Sequence, residues 1–106
     1  MTSAKETALN RIDPRYEELR RVMWMAYDQA TTGKGDVRHA DILKWQNQMS
    51  LRITRMVGIG FPLGQALKKI EESLRLKKDD QIQELLGAVN YLLKAICYLD
   101  NWGVEG

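Results

Sequence analysis

Between residues 82 and 96 apolar side chains recur at the spacing of one side of an α-helix: Ile82, Leu85, Leu86, Val89, Leu92, Leu93, Ala95 and Ile96. No other feature restricts the fold as sharply, because a strand needs a period of two and this stretch repeats near 3.6. The stripe is also broad. A helix that apolar is buried on more than one side, as at the centre of a bundle or at a subunit interface.

Three more segments share the period. Asp13-Pro14 makes a strong start, since Asp accepts from orphan amides and Pro tolerates the first helical position. Tyr16, Leu19, Met23, Ala26, Tyr27 and Ala30 then mark a first helix over about 14–31. Asp41 is placed to cap a second, with Ile42, Trp45, Met49, Ile53 and Met56 as its stripe. The run Val57-Gly-Ile-Gly-Phe-Pro-Leu-Gly64 predicts a break or kink near 58–62, with glycines that permit close backbone packing. Leu63, Leu67, Ile70 and Leu74 define a third helix ending near Lys77-Lys78, where cations suit the carbonyl end, and Asp79 or Asp80 caps the fourth. The expected fold is all-α, a small four-helix bundle over residues 13–101, with a flexible start at 1–12 and a loose tail at 102–106. The five methionines, mostly at helical spacing, read as gap-filling core or interface.

The length of 106 residues suits one domain with a modest core, so self-association is expected to contribute to stability. Sixteen basic against 14 acidic side chains leave a net charge of +2. That balance argues against a nucleic-acid binder, which usually carries a basic face. One local excess stands out: Lys34, Arg38, Lys44, Arg52 and Arg55 against Asp36 and Asp41. Cys97 is the only cysteine, so a disulfide or a multi-cysteine metal site within the chain is excluded. Its place beside Ile96 predicts a buried, inert thiol. The polar opening and the lack of an apolar run of about 20 residues predict a cytoplasmic protein with no membrane partner.

The candidate site is the connection after the first helix, Ala30-Thr-Thr-Gly-Lys-Gly-Asp-Val-Arg-His-Ala40. Thr31, Thr32, Gly33, Lys34 and Gly35 offer successive amides that can curl into a nest for a phosphate oxygen. Lys34 adds a mobile charge, Arg38 a planar fork and His39 a donor of tunable protonation. Tyr16, Trp24, Tyr27 and Trp45 on the flanking segments could stack on a base. A plain turn explains the two glycines equally well, and the Walker spacing is absent. Gln46, Gln48, Arg52 and Arg55 form a polar strip expected to face solvent.

The stretch Lys68-Lys-Ile-Glu-Glu-Ser73, followed by Glu84-Leu-Leu-Gly-Ala-Val-Asn-Tyr-Leu92, resembles the MazG-like all-α nucleotide pyrophosphohydrolases over about 30 residues. The resemblance implies inward carboxylates holding magnesium, here Glu71, Glu72 and Glu84. Leu74 and Arg75 stand three places after the first two, and Leu85 and Ala88 occupy the places of two family ligands. The connection also loosely resembles small phage-encoded proteins that sequester cyclic or linear nucleotide immune signals in the host cytoplasm. The preferred expectation is a non-catalytic homo-oligomer that grips a phosphorylated small molecule, a nucleotide or cyclic nucleotide, with no cofactor. Thr32, Gly33, Lys34, Gly35, Arg38, His39, Tyr27 and Trp45 would make the site. The alternatives are a divergent magnesium-dependent pyrophosphohydrolase and a helical interaction protein without a small ligand.

Overall fold

A computed structural model describes residues 13–32 and 43–102. These residues form four α-helices and no strand, an all-α bundle. No helix among them is long and apolar enough to cross a membrane. The helices are α1 (Glu17–Thr32), α2 (Met49–Val57), α3 (Gly60–Ser73) and α4 (Lys78–Asn101).

The start of α1 follows the sequence closely. Asp13 is extended and accepts from the Arg15 amide at 3.0 Å, and Pro14–Tyr16 makes one 3-10 turn before the α-helix. The Arg15 guanidinium on Asp13 also holds that carboxyl below its ordinary range. The second helix differs from expectation. Residues 43–44 are not helical, Trp45–Asn47 is a 3-10 turn, and Gln48 is extended, so α2 starts at Met49 and not from a cap at Asp41. Side chains hold this lead-in: Gln48 donates to the Leu43 carbonyl and Arg55 to that of Gln46, both at 3.1 Å. Trp45 therefore leaves the α2 stripe.

The expected break falls at Gly58, whose φ of +99° ends α2, and Pro62 sits inside the first turn of α3, where no intrahelical amide bond is lost. The other glycines nearby do not serve close packing: a Cβ at Gly60 or Gly64 would meet nothing within 4 Å. α3 ends at Ser73, and Lys77-Lys78 begin α4 rather than closing α3. Lys77 takes the cap position without a side-chain bond. Asp79 and Asp80 lie in the first turn, where their charges suit the helix dipole.

α3 and α4 form an antiparallel hairpin. Lys69 reaches Glu84 and lies over Gly87, and Phe61 meets Tyr91 edge-on at 6.3 Å. The contact is made by small residues: Ala66 and Ser73 on one side, Gly87, Ala88 and Ala95 on the other. The residues that mark the period of α3 are therefore not its buried face. The row that is buried or half-buried is Pro62, Ala66, Lys69 and Ser73, while Leu63, Leu67, Ile70 and Leu74 face outward, Leu67 being 67% exposed. The α1 stripe behaves alike: Tyr16, Leu19, Met23 and Tyr27 are exposed, and only Ala26 is buried. Met49 and Met56 also lie outside, Met56 at 82% exposure, so they fill no core gap.

α1 and α2 pack on the hairpin. Asn90 of α4, buried, donates to the Ala26 carbonyl and to Gln29 Oε1 of α1, and Gln29 donates to the Gln83 carbonyl. α2 inserts Leu51 and Thr54, both fully buried, and the Thr54 hydroxyl turns back to the Ser50 carbonyl at 2.7 Å. The chain beyond α4 is not loose at its first residue: Trp102 accepts the Arg55 guanidinium over its ring at 4.6 Å. Arg55 thus leaves the solvated strip, whereas Arg52 stays exposed.

Candidate functional site

Gly33, Lys34, Gly35, Arg38 and His39 lie outside the described residues. The flanking members of the predicted site are visible. Thr32 ends α1, and its hydroxyl donates to the Asp28 carbonyl at 2.7 Å; the Thr31 hydroxyl turns back to Tyr27 and Asp28. Both protons are committed to backbone carbonyls one turn back, the local back-bonding that Thr makes within a helix.

Tyr27 stacks on Trp24, not on Trp45. The ring centroids are 5.1 Å apart with planes 22° from parallel, and the residues are 58% and 63% exposed. Such a pair presents a flat, wettable aromatic face about two turns before residue 33 in the chain. Trp45 is half-buried in the 3-10 turn ahead of α2. Tyr16, at the opposite end of α1, holds the Arg15 guanidinium over its ring at 5.6 Å.

Between α1 and α4 runs an open cleft of about 220 Å³ lined by Met25, Asp28, Gln29, Thr32, Gln83 and Leu86. Ligand pockets usually start near 300 Å³. The Asp28 carboxylate at its wall repels phosphate. The cleft is therefore too small, and of the wrong charge, to be an anion site of its own.

A polar group that sequence reasoning passed over lies among α2, α3 and α4. Lys94 is held over the Tyr91 ring at 4.6 Å and donates to Ser50 Oγ at 3.2 Å. Burial first, and the Lys69 charge second, push its ammonium below the ordinary lysine value. Burial pushes the Tyr91 phenol upward. Lys69 pairs with Glu84 Oε1 at 3.7 Å, and Glu84 Oε2 is buried without a hydrogen-bond partner among the described residues. The only sequence signal was a lysine set among the apolar residues of the fourth helix, which also suits a solvated edge.

The three glutamates of the metal-binding alternative do not converge. Glu71 is bound to Arg75 at 2.8 Å, Glu72 faces Lys68 at 3.8 Å, and Glu84 faces Lys69. Among the described residues no three His, Cys, Asp or Glu side chains come together as a metal site. Cys97 is half-buried rather than buried, with its sulfur accepting from Asn101 at 3.3 Å.

No protein family, curated protein or solved structure matches the chain.

Proposed function

We propose that this chain binds a phosphorylated small molecule of the nucleotide class and does not cleave it. The observation that carries the reading is the exposed Trp24–Tyr27 stack, which precedes Gly33-Lys34-Gly35 in the sequence by about two helical turns. A base can stack on such a face at about 1–3 kcal/mol per ring. Lys34 and Arg38 then supply the charge and the planar fork that phosphate recognition uses. Separate engagement of Glu71, Glu72 and Glu84 by cations weighs against a magnesium site for hydrolysis. The biological use that fits is sequestration of a linear or cyclic nucleotide signal, as in the small phage-encoded proteins the connection resembles.

The test is titration calorimetry of the intact chain against nucleoside mono- and triphosphates and cyclic dinucleotides. At least one is expected to bind, with Lys34→Ala and Arg38→Ala abolishing the heat while helical circular dichroism is kept. A parent that binds none of the panel, or variants that bind as it does, overturns the reading. Release of pyrophosphate with magnesium would move the assignment to the hydrolase.

A second reading is favoured by a different observation, the large apolar rows left outside the bundle: a helical interaction protein with no small ligand. In that case no nucleotide raises the melting temperature, because only a ligand that prefers the folded state does so.

A further inference from the structure

The hairpin of α3 and α4 has two broad faces, and the other described helices cover one of them. Lys94 and Asn90, the contacts to α2 and α1, each stand one place before a residue near the α3 contact, Ala95 and Tyr91. The outward row of α4 stands one place after that contact: Leu85, Val89, Leu92, Ile96 and Leu99, between 40% and 62% exposed. The outward row of α3, Leu63, Leu67, Ile70 and Leu74, likewise follows its contact row by one place. One place is a turn of about 100° about the helix axis. The two helices run in opposite directions, so the same right-handed turn carries both rows to one side of the hairpin, opposite α1 and α2.

We infer that this face is the interface with a second copy of the chain, two hairpins meeting to build a four-helix core. The spacing within each row is four, three, four, the seam of coiled-coil-like bundles, with Val and Ile alternating with Leu along α4. Neither row contains a charge, so the face can meet itself about a two-fold axis without like-charge repulsion. The nine aliphatic side chains of the two rows, each between 40% and 71% exposed, present an area on the order of the roughly 800 Å² that each partner hides in a standard interface. Large aliphatic side chains contribute most per residue when buried, whereas the residues buried between α3 and α4 are mostly alanine, glycine and serine. The large aliphatic side chains of these two rows are arranged for the partner copy.

Sedimentation velocity of the full chain across a dilution series tests this. The parent is expected at twice 12.2 kDa, with an unfolding midpoint that falls on dilution. Leu67→Glu and Leu92→Glu are expected to weaken association by about a hundredfold or more, since each buries an unpaired charge. Met56→Glu, on α2 and off the seam, leaves it unchanged. A parent that stays monomeric at every concentration overturns the inference and leaves the face to a different partner. So does association that survives both charged variants. Should these fail to fold, Leu67→Ala and Leu92→Ala replace them, and a dissociation constant equal to the parent's counts against the seam.

Discussion

Asn90, in the middle of α4, donates to the Ala26 carbonyl of α1 at 3.1 Å and to Gln29 Oε1 at 3.0 Å. One buried amide thus pins the helix that leads into the candidate site. Without it, the Ala26 carbonyl keeps only its helical donor and Gln29 Oε1 loses the Asn90 amide. Asn90→Ala is expected to cost about 1–3 kcal/mol, the penalty of a buried polar group left unpaired. Urea denaturation measures the loss, and hydrogen exchange should rise in α1 more than in α3.

Lys94 gives a pH signature. Its folded value lies below the ordinary 10.5. The folded chain therefore releases the proton at lower pH than the unfolded chain. Between the two values unfolding takes up a proton, so this group's contribution to stability rises with pH. Below the folded value the penalty of the buried charge is fully present. Lys94→Met is expected to compare most favourably with the parent at neutral pH and to lose ground as the pH approaches 10.5. Denaturant midpoints of both proteins along a pH series read this directly, and a constant difference would speak against it.

Gly87 and Lys69 are coupled. A Cβ at Gly87 would stand 2.8 Å from Lys69 Cδ, the flexible end of a side chain that can move. Gly87→Ala gains about 1 kcal/mol of helix propensity and displaces Lys69 from Glu84. The two effects are expected to leave stability within about 1 kcal/mol of the parent. In a Lys69→Ala background the same substitution should stabilise by about 1 kcal/mol. A double-mutant cycle in guanidinium gives the coupling.

For nucleotide binding, Tyr27→Ala removes half of the exposed stack. It is expected to weaken binding about tenfold, in line with about 1–3 kcal/mol per stacked base. The tryptophan fluorescence change on binding should shrink with it, while Trp45→Phe, half-buried and outside the stack, changes affinity little.

Much of the fold was legible because helical period and the chemistry of Asp13, Pro14 and Gly58 are local properties. The direction each stripe faces is not local. Leu63, Leu67, Ile70 and Leu74 mark a helical period without saying which way it faces, and the residues buried between α3 and α4 are mostly smaller ones. Met23 and Met56 looked interior for the same reason. Lys94 was missed because nothing in a sequence says that Ser50 and Tyr91 will close around it. At the candidate site, Trp45 was read into the stripe of the second helix because nothing in the period announces the 3-10 turn that replaces its expected first turns. Gln48 bonding to Leu43 and Arg55 to Gln46 stabilise that turn through contacts specific to the folded chain.

The φ of +99° at Gly58 is paired with a ψ of 177°, an extended step of mirror-image hand that side chains of natural chirality avoid. No neighbouring group would crowd a Cβ there, so stereochemistry alone reserves the position for glycine. A chemically synthesised chain carrying D-alanine at residue 58 should fold with the same bend between α2 and α3 and with less freedom to lose on folding, whereas L-alanine at the same place should strain it. The angle at which α2 meets the hairpin thus hangs on a single achiral atom.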